Sequence, residues 1–414
     1  MDATTAFEFQ RTPSRKNKIR VVNIITGLDT GGAEHALELV VSLLDKAIFD
    51  VSVISLRDLG LVGSRLRQQG VPVYAIGLRH AVTLPFHLLR LTLLLCRLRP
   101  QIVQTWLYHA DLIGLLAAKL AGAPYVLWNL RGSNLALGGN GVPGHGQYRF
   151  LLRCLAWLSA APDVVISNSQ AGIDFHISAG YRPRRVVKIT NGVDFMRFPA
   201  VDADRQYLRD ACDFHSDAVV VGHIARIDPM KNHLAFLQMA ILLLDRGLDV
   251  RFVMIGREVA ADAIITGFLI RNPRLAARVK LLGERRDVPE LMVGLDLLCS
   301  TSIWGEGTPN VIAEAMLSSV AVVATDVGDT SHLLSDTGRI VPVNDVPALA
   351  LACEELLRCP STRLELVKAA RRRAIELFRP ETMTAAYERT YLDVVDADYR
   401  HEAFAASAVA TAAS

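Results

Sequence analysis

Two glutamates with seven residues between them, Glu306 and Glu314, stand in the segment Trp304-Gly-Glu-Gly-Thr-Pro-Asn-Val-Ile-Ala-Glu-Ala-Met316. Each carboxylate oxygen accepts hydrogen bonds, so a carboxylate suits the vicinal hydroxyls of a sugar. Thr308 reads as a helix N-cap and Pro309 as the first helical residue. This puts Glu306 in a glycine-rich loop at a helix mouth and Glu314 inside the helix, beside Val311 and Ala315. The ordinary alternative for Glu314 is an exposed helix carboxylate. Glu306, between Gly305 and Gly307, fits that alternative less well. Upstream, Arg226-Ile-Asp-Pro-Met-Lys231-Asn232 sets two cations five positions apart at the end of an apolar run. An arginine fork and a lysine point charge can converge on one diphosphate. Solvated surface charges are the alternative. Only eight of the 45 basic residues are lysines, which makes Lys231 the less routine of the two.

Three further segments carry polar chemistry after apolar runs. Gly27-Leu-Asp-Thr-Gly31-Gly32-Ala33-Glu34 pairs two glycines with a helix start, where backbone and helix terminus together favour an anion. Its spacing is not GxGxxG, and no Gly-Lys-Ser/Thr follows, which weakens dinucleotide and P-loop readings. Trp106-Leu-Tyr-His109-Ala-Asp111 offers a histidine and a carboxylate for recognition or proton transfer, against a histidine merely satisfied by a neighbour. Asn129-Leu-Arg131-Gly-Ser-Asn134 offers Arg131 to a charged acceptor group, or to a loop salt bridge. The glycine-rich stretch 138–146 is expected to be mobile.

The elements that hold these loops alternate. β-branched runs at 21–26, 51–56, 71–76, 102–106, 125–128, 164–167 and 186–190 are separated by helix-periodic stretches such as 33–44, 110–120 and 147–158. A break with Asn191-Gly192 and several aspartates follows, read as a linker without a clear strand, about 193–217. A second series begins at 218–224 and continues through 250–255, 279–282, 295–300, 320–325 and 339–341. Helices are expected at 231–246, 309–317 and 347–357. Strands alternating with helices predict parallel sheets. The fold class is therefore α/β, with two Rossmann-like doubly wound parallel-sheet domains facing one cleft. Ligands of such sheets sit beyond the carboxyl ends of the strands. The expected divisions are a disordered arm at 1–18, one domain at 19–195, a second at 196–379, a helix at 380–400 starting at Pro380, and a disordered tail at 401–414. Met383, Tyr387, Tyr391 and Val394 form an apolar stripe on that helix.

Composition bounds the rest. The 414 residues predict two or three domains. With 51% hydrophobic and 21% charged residues the chain is globular, not disordered. A net charge of +3 excludes a general polyanion binder, so phosphate recognition must be local. The six cysteines form no CxxC pair or zinc-ligand spacing, which reads as free thiols in a reducing compartment. The polar N-terminus lacks an apolar secretory core. The most apolar helix candidate, 84–98, contains His87, Arg90 and Arg97 and is too short to span a bilayer.

With those motifs in order, the sequence resembles glycosyltransferase family 4, of GT-B architecture, over nearly its whole length. The Glu306/Glu314 pair carries the resemblance furthest. Arg226/Lys231, Asn191-Gly-Val-Asp194, Gly31-Gly-Ala-Glu34 and Asp336-Thr-Gly-Arg-Ile-Val-Pro342 add to it. The resemblance implies that Arg226 and Lys231 hold the donor diphosphate as leaving group, that Glu314 holds the ribose, and that Glu306 with Gly307, Thr308, Pro309 and Asn310 holds the donor sugar. It implies that the loop of Arg286 flanks the base, that Gly31 and Gly32 let the acceptor side approach the donor phosphate, and that the final helix braces domain one. Relatives place a histidine where this chain has Arg131-Gly-Ser, and His109 is the substitute candidate. The implied reaction is a retaining, metal-independent transfer from a nucleotide diphosphate sugar to a glycan or lipid-linked acceptor, as in polysaccharide or glycolipid biosynthesis. The donor is a co-substrate and no cofactor is expected; no Asp-x-Asp motif lies in the cleft loops.

The acceptor side has two readings. Helix 147–158, with Arg149 and Arg153 beside Phe150, Leu151, Leu155 and Trp157, either seats a peripheral enzyme on an anionic membrane or simply packs on the sheet. The expected location is cytoplasmic, at or near the inner membrane face, with no nucleic-acid partner. A nucleotide-sugar epimerase of the same shape is the alternative enzyme. A nicotinamide oxidoreductase would need GxGxxG, and a two-lobed solute-binding protein an export signal.

Overall fold

The computed structural model describes residues 18–29, 31–131, 145–195, 198 and 205–412. Most of the expected N-terminal arm, and the glycine-rich stretch up to residue 144, lie outside the described residues.

The first lobe is a seven-stranded parallel sheet: β1 (Ile19–Ile25), β2 (Phe49–Ser55), β3 (Val73–Ala75), β4 (Ile102–Trp106), β5 (Tyr125–Leu130), β6 (Val164–Ser167) and β7 (Val186–Lys188), in the order β3-β2-β1-β4-β5-β6-β7. Its central strands are buried almost throughout because helices cover both faces, and the edge strands β3 and β7 are only partly buried. Helices α1 (Gly32–Leu43) and α2 (Gly60–Gln68) cover one face. On the other lie α3 (Leu84–Leu98), α4 (Tyr108–Leu120) and α5 (His145–Leu158), followed along the chain by α6 (Gln170–Ser178). Right-handed crossovers produce this split: the chain winds outward from β1 to β3, then returns past β1 to β4.

The stretch expected as linker holds a helix, α7 (Gln206–Cys212). Leu208 and Cys212, one turn apart, are buried in the second lobe, and that burial makes it a helix rather than a tether. The second sheet runs β10-β9-β8-β11-β12-β13, all parallel. Its strands are β8 (Val219–Ile224), β9 (Val250–Ile255), β10 (Val279–Gly283), β11 (Leu297–Ser300), β12 (Ala321–Thr325) and β13 (Arg339–Val341). The helices are α8 (His233–Asp245), α9 (Ala263–Arg271), α10 (Pro273–Ala276), α11 (Val288–Val293), α12 (Asn310–Leu317), α13 (Thr330–Leu334), α14 (Val346–Arg358) and α15 (Pro360–Leu377).

The last helix, α16 (Pro380–Ala412), leaves the second lobe and lies on the first sheet. Met383, Tyr387, Tyr391 and Val394 are buried against β1 and α1 residues. It continues through residues 401–412, where a disordered tail was expected; alanine, the best helix former, recurs through that segment. No described helix is long and apolar enough to cross a membrane.

In each sheet the first strand pairs with neighbours reached by opposite crossovers: β1 with β2 and β4, β8 with β9 and β11. These are the two switch points, where adjoining loops diverge and leave a crevice.

Candidate active site

A cleft of about 830 Å³ opens between the lobes at both switch points. From the second lobe it is lined by Arg226, Met230 and Lys231 after β8, and by Gly305, Glu306, Gly307, Thr308 and Asn310 after β11. The first lobe contributes Gly31, Gly32 and Glu34 after β1, His109 after β4, and Arg131 after β5.

The Lys231 ammonium is ion-paired with Glu306, whose Oε1 also accepts the Ser302 hydroxyl at 2.6 Å. Both partners are largely buried. The Arg226 guanidinium is half exposed and donates to Asp228 Oδ2 at 2.7 Å. Asp228 is itself held by accepting the Met230 N–H at 3.1 Å, in the turn where Pro229 starts a short 3₁₀ segment. The two cations therefore face the same cleft, each with a carboxylate partner.

Thr308 does not cap α12. Pro309, in extended conformation, precedes the first helical residue, Asn310, and the Thr308 hydroxyl donates across the lobes to the Asn168 carbonyl at 2.9 Å. A proline start supplies no side-chain acceptor, so the first N–H groups of α12 have no cap from this residue. Asn310 in turn accepts from Asn191 Nδ2 at 3.1 Å. Its amide lies where a Cβ on Gly32 would sit, 2.6 Å away. Glycine at 32 is what lets the two lobes approach this closely. Within the second lobe, Gly328 (φ +62°) lets its own backbone pack behind the Glu306 loop, since a Cβ there would sit 2.2 Å from the Glu306 carbonyl.

Glu314 is placed differently from its partner in the motif. It lines an adjoining cavity of about 490 Å³ with residues of α1 and the Asn191–Asp194 segment, and Gly32, Asn191 and Asn310 form the wall shared with the main cleft. One further helical turn carries its side chain past that wall. Pro309 and Arg286 line neither cavity. Glu284, from the same loop as Arg286, faces the cleft instead.

His109 packs edge-on against Tyr148, with ring centroids 5.8 Å apart. Burial, and then the nearby Arg57, push its pKa below the usual range, so it is neutral near pH 7. Asp111 does not serve it: its Oδ1 accepts from Thr105 at 2.5 Å beneath α4, and burial holds its carboxyl far toward the neutral form. Arg131 is a brace rather than a free acceptor contact. Its guanidinium stacks on Trp106 at 4.3 Å, donates to the Tyr387 hydroxyl at 2.8 Å, and donates to Asn191 Oδ1. Burial lowers its pKa, with Tyr387 and Glu34 acting in the opposite sense. The last helix supplies the Tyr387 partner, 256 residues away.

Glu34 folds over the start of α1, where a Cβ on Gly31 would sit 2.3 Å from Oε2. Burial raises its pKa, and its own backbone N–H pulls the other way. The helix terminus expected to attract an external anion thus already faces an internal carboxylate. Arg57 and Arg257 also line the cleft and were missed in the sequence. Each sits two residues past a strand end, the same signal that marked Arg226. Among the described residues no group of three or more His, Cys, Asp or Glu side chains is placed to hold a metal ion.

Comparison with known proteins follows this geometry lobe by lobe. The family described as Glycosyltransferase Family 4 matches residues 30–197, and Glycosyl transferases group 1 matches residues 218–359. The chain is 25% identical to a capsular polysaccharide biosynthesis glycosyltransferase of Staphylococcus aureus, over 73% of this chain and 80% of that protein. It is 23% identical to an Escherichia coli α-1,3-galactosyltransferase acting on GlcNAc-diphosphoundecaprenol, over 63% and 67%. The chain spans only about half the length of several other curated relatives, 53% and 56% in two cases. Among solved structures, Anabaena HepE in complex with UDP has the same fold, with a TM-score of 0.77 and 22% identity over 91% of this chain and 100% of that one.

Proposed function

We propose a reaction on the premise that the chain belongs to the glycosyltransferases of family 4 type, with the GT-B fold. The reading is a retaining, metal-independent transfer of a sugar from a nucleotide diphosphate sugar to a glycan or lipid-linked acceptor. The convergence of Arg226, Lys231 and Glu306 on one interlobe cleft, at the mouth of α12, carries it.

Breaking the anomeric bond leaves positive charge on the sugar and negative charge on the departing diphosphate. Cations already fixed at the phosphate position stabilise that charge without reorganising during the reaction. On this reading Lys231 shifts from Glu306 to the phosphate and Glu306 turns to the sugar hydroxyls. The N–H groups at the start of α12 face the phosphate oxygens. Glu314, one cavity over, meets the ribose as the lobes close. His109, neutral near pH 7, can accept a hydrogen bond from the acceptor or the sugar. Arg226 and Lys231 supply charge that a divalent ion would otherwise contribute.

UDP is bound by the Anabaena neighbour, and a diphosphoundecaprenol sugar is the acceptor named for the E. coli relative. These support a nucleotide-sugar donor and a lipid-linked or glycan acceptor here. The deciding experiment is a thermal-shift series with UDP-, GDP- and ADP-sugars, followed by assay of nucleoside diphosphate release. A shift with one donor, and release only when acceptor is present, is the expected result. Release of an altered sugar nucleotide without acceptor would make the enzyme an epimerase. Activity retained in EDTA and an unchanged anomeric configuration in the product are the expected outcomes for metal independence and retention.

A further inference from the structure

We propose that the outer face of the α3–α4–α5 layer docks on an anionic lipid bilayer. The inference deepens the lipid-linked-acceptor reading and rests on it for its purpose, though not for its structural basis.

Helices covering an α/β sheet normally bury one apolar stripe and turn a polar face outward. These three have apolar residues on both sides. In α3, Leu91 and Leu95 are buried against the sheet, while Phe86, Leu89 and Leu93 point outward, with Phe86 66% exposed. In α5, Leu152 and Leu155 are buried, while Phe150 is 70% and Trp157 84% exposed. Between them α4 buries Ala117 and Ala118 and exposes Leu116 and Leu120. The buried sides belong to one core layer and α4 packs against both α3 and α5, so the outward sides lie together on one side of the first lobe. Exposed apolar side chains gathered on neighbouring helices mark a surface that something covers.

Charge identifies the occupant. The helices contain 15, 13 and 14 residues, and their single carboxylate is Asp111, which is fully buried. Their exposed charged residues are all basic: Arg90 and Arg97 on α3, Lys119 on α4, Arg149 and Arg153 on α5. A second copy docked symmetrically on this face would set cations against cations with no carboxylate to answer them. An anionic membrane surface meets both features. Apolar side chains enter the headgroup boundary, aromatic rings sit at the interface, and each basic residue adds attraction to the anionic headgroups. His109 and Tyr148, in the first turns of α4 and α5, line the cleft. Docking on this face therefore brings the cleft mouth to the level of a lipid-linked diphosphate.

The test is flotation of the full chain with phosphatidylcholine vesicles, with and without phosphatidylglycerol, at low and high salt. Binding to the phosphatidylglycerol vesicles at low salt, at least about tenfold above phosphatidylcholine alone and reversed by salt, is the expected result. Arg149→Glu with Arg153→Glu, and separately Phe150→Ser with Trp157→Ser, should each cut binding about tenfold. Both should leave the melting temperature and the donor-induced thermal shift unchanged. Absence of flotation by the native chain, variants that float equally well, or self-association that Phe150→Ser/Trp157→Ser abolishes would each overturn the proposal. A donor-induced shift in preparations that fail to float sinks the docking surface alone, whereas a missing shift strikes at the transferase reading.

Discussion

Lys231 and Glu306 are paired in the interlobe cleft, and the Ser302 hydroxyl donates to the same Glu306 oxygen. One residue closes the β8 loop and the other the β11 loop, so this pair ties the two sides of the switch point of the second sheet. It also sets the charge that an incoming diphosphate meets.

Replacing Lys231 with Ala leaves the largely buried Glu306 carboxylate without its counter-charge, a change that costs about 3 kcal/mol in comparable buried pairs. A lowered melting temperature is expected, together with at least about a hundredfold loss of transfer. Adding Glu306→Gln to Lys231→Ala should recover part of the melting temperature and none of the activity. Near-native turnover in Lys231→Ala would reject the role assigned to it.

The Tyr387 hydroxyl accepts from Asn129 Nδ2 at 2.7 Å and from Arg131 at 2.8 Å. Tyr387→Phe removes the acceptor for a buried donor, Asn129, and a half-buried one, Arg131, at a cost of about 1–3 kcal/mol in chemical denaturation. Limited proteolysis should then cut α16 sooner. Stability within about 0.5 kcal/mol of the native chain would show that Arg131 finds its partners elsewhere.

Asp329, in the second lobe, accepts the N–H groups of Gln170 and Ala171 at 2.9 Å each, at the first turn of α6 in the first lobe. With Thr308 on Asn168, this fastens the lobes on one side of the cleft. An ionised acceptor at a helix start is worth about 1 kcal/mol. Asp329→Ala should enlarge the radius of gyration in solution scattering and raise KM for the donor several-fold, with the melting temperature little changed. An unaltered scattering profile would contradict the fastening role.

His176 and His223 are buried neutral. Burial pushes His176 down to about 4, partly opposed by its bond with the Gly172 carbonyl. Burial and then His233 push His223 to about 3. Both folded-state values lie below the unfolded value of about 6.5, so the unfolded chain binds more protons across that interval. The stability from these two sites is complete above about pH 6.5 and falls as the pH drops toward 4 and 3. Urea midpoints measured from pH 7 to 4 should decline, with a smaller slope in His176→Gln. A flat profile would contradict burial of the neutral rings.

Much of this organisation was legible along the chain because the signals are local. Period-two and period-3.6 apolar patterns mark strands and helices, and a polar residue just past a strand end lies at the ligand edge of a parallel sheet. Arg226, Lys231 and Glu306 were found that way, and the same rule reaches Arg57 and Arg257 once applied evenly. Helix α7 hid in a polar stretch because its burial depends on the second lobe's core. Thr308 has the right type and place for a cap, yet a carbonyl of the other lobe takes its hydroxyl.

The sequence by itself therefore determined the two α/β units and the loops that carry the chemistry, since backbone propensity and apolar periodicity are properties of neighbouring residues. Tertiary structure alone decided that Arg131 is a half-buried brace under α16, that Glu34 covers the start of α1, that Glu314 faces a second cavity, and that α3, α4 and α5 keep apolar faces without a protein partner among the described residues. Each of those facts depends on which distant surfaces meet. That outcome depends on how whole faces fit and how their charges are desolvated, and no single stretch of residues records it.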